Sequence, residues 1–163
     1  MENNDQKQSK VVRYSGNLEK QSIQFDDDGN PLFIFGGFPN FICENRNRDI
    51  CVADCAAKAV VVVNQTGKFR FRYIGHAPAP KNKLFNPTGI TTDSQGHILT
   101  ADYDNYCVHI IDKDGHFLRF IKFQQNQPYR LCTDRDDNLF VAVKDLKSWP
   151  PGTVKQIRYL YRS

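Results

Sequence analysis

Residues 89–121 read GITTDSQGHILTADYDNYCVHIIDKDGHFLRFI, and this stretch decides the fold. Four short apolar runs, Gly89 to Thr92, Ile98 to Ala101, Val108 to Ile111 and Phe117 to Ile121, are divided by polar breaks. The breaks are turn chemistry: Ser94-Gln95-Gly96 after Asp93, Asp102-Tyr103-Asp104-Asn105, and Lys113-Asp114-Gly115. Runs this short, rich in β-branched residues and joined by tight turns, predict four antiparallel strands in one sheet.

The pattern recurs upstream without a gap at an offset of 48 residues. Ile42, Ile50, Ala53, Asp54, Val60, Gly67 and Phe69 fall on Ile90, Ile98, Ala101, Asp102, Val108, Gly115 and Phe117. The earlier copy predicts strands over Phe41 to Glu44, Ile50 to Ala53, Val60 to Val63 and Phe69 to Tyr73. Its run Ala59-Val60-Val61-Val62-Val63 is apolar on both faces, as in a strand sandwiched between neighbouring sheets. A period in this range, carried by four-stranded units, points to the blades of a β-propeller.

A third copy opens at Arg130 and runs through Thr133-Asp134 and Asn138 to Ala142, offset by 41 from the second. Val143 stands there in place of Asp54 and Asp102, and an insertion around Ser148-Trp149-Pro150-Pro151-Gly152 lengthens the loop before Val154 to Leu160. Upstream, Lys10 to Tyr14 and Gln21 to Phe25 read as the outer hairpin of an incomplete blade. An inner hairpin over Ile23 to Phe33 is the alternative, because Asp26 and Gly29 share the spacing of Asp93 and Gly96. The expected organisation is a flexible tail over 1–9, outer strands plus a connection over 10–39, a blade and linker over 40–84, a blade over 85–127 and a degenerate blade over 128–163. The fold class is therefore all-β, a partial propeller of about three to four four-stranded blades.

Hydrophobic content of 40% and charged content of 25% suit an ordinary globular domain. No run approaches the roughly 20 apolar residues that span a bilayer. The opening MENNDQKQSK lacks an apolar signal region, so a cytoplasmic location is expected. The five cysteines are an odd number, and Cys43, Cys51 and Cys132 sit in strand-like runs, which suits reduced thiols packed as small hydrophobes. A net charge of +4, with cations spread along the chain, permits an anionic partner without requiring one.

The quoted stretch, together with DICVADCAAKAVVVVNQTGKFRFRYIG over residues 49–75, resembles the NHL repeats of TRIM-NHL-like proteins in their bivalve form. In that family the repeats usually close a six-bladed propeller at the C-terminal end of a chain bearing RING, B-box and coiled-coil segments. The resemblance covers about residues 10 to 160, the C-terminal part of such a propeller. It implies a recognition module for protein or RNA, the substrate-binding part of a ubiquitin ligase. The chain has no Cys-x-x-Cys pair, no RING or B-box ligand spacing and no long heptad pattern, so zinc binding and ligase activity do not carry over.

Asp54 and Asp102 close the second strand of their blades, while Asn45, Asp93 and Asp134 share an equivalent position after the first. Recurrence at equivalent positions suits turn architecture, in which short acidic side chains accept backbone hydrogen bonds. Gly67, Gly96 and Gly115 belong to the same structural set. A metal-dependent lyase or lactonase is the alternative from another class. Against it, His76, His97, His109 and His116 lie in a linker, two turns and a third strand, with no set converging. The sequence reading is thus of a protein without catalytic residues, cofactor or metal.

Loops between second and third strands, and linkers between blades, open on one propeller face. That face is expected to collect Lys58, Tyr103, Asn105, Tyr106, Tyr129, Arg130, Lys144, Lys147 and Trp149, with Lys81 and Lys83 beside them. Cations contact phosphates and aromatic rings stack on unpaired bases, so single-stranded RNA or a protein is the expected partner. Arg46 and Arg48 lie on the opposite face. Open blade edges also make self-association a candidate property.

Overall fold

The computed structural model describes residues 9–36, 40–145 and 152–159. Thirteen strands form four antiparallel sheets, and no helix occurs among the described residues. A two-stranded hairpin comes first, β1 (Val11–Ser15) and β2 (Leu18–Ile23). Next come two four-stranded blades: β3 (Phe41–Glu44), β4 (Ile50–Asp54), β5 (Ala59–Val63) and β6 (Phe69–Tyr73), then β7 (Pro87–Thr92), β8 (Ile98–Asp102), β9 (Cys107–Ile111) and β10 (Phe117–Lys122). A three-stranded sheet of β11 (Asn126–Thr133), β12 (Asn138–Asp145) and β13 (Thr153–Arg158) follows. Each four-stranded sheet is a meander in sequence order, and its first strand, which meets the first strand of the next sheet, is the inner one.

Strand periodicity explains how the sheets stack. In β4, Cys51 and Ala53 face the second blade, while Ile50 and Val52 face the β1–β2 hairpin. The paired residues of β5 divide in the same way, Val60 and Val62 to one side and Val61 and Val63 to the other, and all four are wholly buried. Each such valine contributes about 1.5–3 kcal/mol of burial. In the second blade, Ile98 and Ile111 join the core shared with the first, whereas Leu99, Val108 and Ile110 pack on Leu139, Val141 and Val143 of the third. Two-sided burial is thus the reason that these strands carry no polar alternation.

Two expectations are corrected. The inner strand of the third blade begins at Asn126 rather than Arg130, because Gln127 and Pro128 already pair with Lys144 and Val143. The ladder then shifts register between Pro128 and Arg130, a bulge at Tyr129. Cys132 is exposed rather than packed as a small hydrophobe, since it lies on the side of β11 turned away from Leu131, which packs on the core shared with the second blade.

Adjacent inner strands approach closely where β7 meets β11. A Cβ on Gly89 would lie 2.8 Å from the Arg130 Cα, 2.8 Å from the Tyr129 carbonyl oxygen and 2.9 Å from the Leu131 nitrogen. Only glycine lets the backbones touch here. This contact fixes Tyr129 and Arg130 relative to the second blade.

Candidate functional site

The site is built from loops at one end of the sheets, and carboxylates at the ends of second strands hold those loops in place. Asp54 Oδ2 accepts the Ile34 N–H at 2.8 Å and its Oδ1 accepts the Ala57 N–H at 2.9 Å. Asp102 repeats the arrangement, accepting from the Asn86 N–H at 3.2 Å and the Asn105 N–H at 3.3 Å. Each therefore clamps the preceding linker and its own turn with one carboxylate. Lys58 and Tyr106 take the same place in the two turns, with φ of 51° and 57°.

Around this frame the structure brings together part of the expected face. Tyr103, Tyr129, Ala142, Val143, Lys144 and Gly152 line a cleft of about 490 Å³. The Tyr103 and Tyr129 rings meet edge to face, centroids 6.3 Å apart. The Arg130 guanidinium lies 4.3 Å from the centroid of Phe41 and 5.1 Å from that of Tyr129, a cation–π arrangement. Phe41, on the inner strand of the first blade, is a member of this cluster that sequence reasoning missed. Its signal was the equivalence of inner-strand positions, since the repeat offsets of 48 and 41 carry Phe41 through Gly89 to Arg130, and Phe41 and Arg130 pair with the equivalent alanines Ala53 and Ala142.

Other expected members stand elsewhere. Lys58 is exposed and donates to Asn86 Oδ1 at 2.8 Å, while Lys81 sits 5.1 Å from the Tyr106 ring centroid. These groups do not line the cleft. Asn105 is corrected: it is fully buried, its Oδ1 accepts the Lys83 N–H at 2.9 Å, and its amide donates to the Lys83 carbonyl at 3.0 Å and to Asp102 at 2.7 Å. With its polar atoms spent on the linker, it has none to offer a partner. Lys147 and Trp149 lie outside the described residues.

At the other end, Arg46, Arg48 and Arg135 line a polar cleft of about 580 Å³ formed by turns of three successive sheets. Its acids are occupied: Asp93 accepts from the Gln95 and His97 N–H groups, each at 2.9 Å, and Asp134 from Asp136 at 2.9 Å and Asn138 at 2.8 Å. Asp137 takes the Ser94 N–H at 2.7 Å and the Ser94 hydroxyl as well. Gly96 and Gly115 occupy these hairpin turns with φ of 84° and 92°, and Gly67 does so at 87°.

Between the first and second blades lies a buried polar chain that the sequence did not disclose. The Tyr73 hydroxyl is 2.7 Å from His109 Nδ1, and His109 Nε2 is 3.0 Å from Asp102 Oδ2. A carboxylate only accepts, so Nε2 donates to it, and in the neutral ring Nδ1 accepts from Tyr73. Burial, with Cys107 and Asp102 nearby, raises the Tyr73 hydroxyl above its ordinary range, and burial beside Asp102 raises the Cys107 thiol. Asp102, Cys107 and His109 place their ligand atoms within 4.8 Å of one another, so they are the residues among those described that could hold a metal ion. The available signal was His109 itself, a polar residue inside the otherwise apolar Cys107–Ile111 strand.

Stacked antiparallel sheets of this order, with inner strands in contact, define a β-propeller architecture. More narrowly, a family model of the NHL repeat matches residues 86–111. No curated protein matches the chain. Among solved structures, virginiamycin B lyase from Staphylococcus aureus is similar with a TM-score of 0.60 and 18% identity over 91% of this chain and 48% of that one. A streptogramin B lyase gives a TM-score of 0.55 and 16% identity over 90% and 47% of the two chains. A catalytically inactive Staphylococcus aureus virginiamycin B lyase with quinupristin gives 0.59 and 16% over 96% and 58%. The chain therefore spans about half the length of these propellers.

These comparisons correct one expectation. The sequence reading took a propeller of this kind to be non-catalytic, yet the solved propellers it resembles are enzymes. The absence of converging histidines along the sequence therefore does not establish that the chain lacks activity. At 16% to 18% identity the likeness itself shows the fold alone.

Proposed function

We propose that the chain is the recognition part of a TRIM-like cytoplasmic protein, a propeller module that holds single-stranded RNA on the face formed by the Tyr103–Tyr129 cleft. The observation that carries this reading is the cleft itself, where two tyrosine rings, Lys144 and the Arg130–Phe41 stack converge. Rings supply stacking surfaces for bases, and the two cations supply phosphate contacts. A protein segment is the other ligand that such a face accommodates, and substrate recognition for a ubiquitin ligase is its role in that case.

A titration of a fluorescent single-stranded oligoribonucleotide at rising salt separates these ligands. RNA binding through Lys144 and Arg130 predicts a logarithmic affinity that falls linearly with the logarithm of salt, by about 0.7 per phosphate contacted. Binding that is absent, or indifferent to salt, excludes the RNA reading.

A further inference from the structure

We propose that Asp102, Cys107 and His109 form a binding site for a divalent transition metal such as zinc between the first and second blades. The hairpin ladder creates the arrangement. Asp102 and Cys107 are directly paired across β8 and β9, and His109 lies two residues beyond Cys107, so all three side chains share one face. Their ligand atoms lie within 4.8 Å of one another, and all three residues are fully buried. Carboxylate, thiolate and imidazole together are the donor set of zinc and its neighbours in the first transition row, and not of calcium or magnesium.

A second observation points the same way, because the outer partners of the donors are already in place. Metal-bound histidines characteristically anchor their second ring nitrogen on a hydrogen-bonding partner, and the Tyr73 hydroxyl stands 2.7 Å from Nδ1. Asp102 Oδ1 is held by the Asn86 N–H at 3.2 Å and the Asn105 N–H at 3.3 Å, and Oδ2, fixed by the Asn105 side-chain amide at 2.7 Å, faces His109 Nε2 at 3.0 Å. On binding, the ion replaces the hydrogen bond between Nε2 and Oδ2. The ring proton then moves from Nε2 to Nδ1 and is donated to the Tyr73 oxygen, whose own proton rotates away from the ring, while the Cys107 thiol releases its proton to solvent. The ion clamps the second blade's turn to the strand pair beneath it, so its role is to stabilise the frame.

Cobalt(II) tests the site, because a cysteine thiolate bound to it gives a charge-transfer absorption. The chelator-treated 163-residue chain is titrated with cobalt(II) chloride and followed by absorbance and by thermal unfolding. One equivalent is expected to bind with a thiolate band and a raised unfolding temperature. Cys107→Ser is expected to lose the band, whereas Cys43→Ser, Cys51→Ser, Cys55→Ser and Cys132→Ser each keep it. If Cys107→Ser does not fold, those four variants decide by elimination. No band in the unsubstituted chain, a band that survives Cys107→Ser, or its loss in one of the other four folded variants overturns the assignment.

Discussion

At the residue scale one bonding pattern recurs through the chain. The side-chain oxygens of Asp26, Asn64, Asp93, Asp112 and Asp134 each accept the N–H groups two and four residues on. In Asp26, Asp112 and Asp134 these bonds stabilise the anion. Asp26 is held below the ordinary 3.8 by the N–H and amide of Asn30, and Asp134 by the amide and N–H of Asn138. In Asp112 burial pushes upward, but the backbone and ring of His116 more than offset it. Folded values below unfolded ones mean stability that is complete above about 3.8 and lost as pH falls through the lower folded values. The urea midpoint is therefore expected to drop between about pH 5 and pH 2, less steeply in Asp134→Asn; an unchanged midpoint would refute this account of the acid limb. Local bonds of this kind are legible in a sequence because donor and acceptor are a few residues apart. The Tyr73–His109–Asp102 chain is not, since Tyr73 reaches His109 only when two blades pack.

At the element scale, most strand positions follow from turn residues and apolar runs, and the β5 valines show why: two-sided burial leaves no polar alternation to read. The start of β11 was less legible, because Pro128 and the bulge at Tyr129 interrupt the apolar pattern that marks the other inner strands. Gly89 carries the corresponding packing constraint. A methyl group there meets three backbone atoms at 2.8 to 2.9 Å, and none of them is a flexible side-chain end. Gly89→Ala is expected to cost about 1–3 kcal/mol in urea unfolding, with a local shift of β11 against β7. A loss below about 0.5 kcal/mol would show that the inner strands separate freely. Because Tyr129 and Arg130 sit on that contact, the same variant is also expected to weaken ligand binding.

At the scale of the whole molecule, the sheets turn two sets of loops toward opposite ends, and the ends differ in chemistry. One presents rings and cations around the Tyr103–Tyr129 cleft, the other arginines among carboxylates already occupied in turns. The repeat made the two faces legible, but the membership of the cleft depended on contacts between blades, which is why Phe41 was missed and Asn105 included. The most direct test compares the two ends in one RNA-binding assay. Tyr129→Ala is expected to weaken single-stranded RNA binding by about 1–3 kcal/mol, roughly five- to 150-fold. Arg46→Ala and Arg135→Ala, at the far end, are expected to change it by no more than roughly twofold. Binding that survives Tyr129→Ala but falls with Arg46→Ala or Arg135→Ala would contradict the account and move the recognition surface to the opposite face.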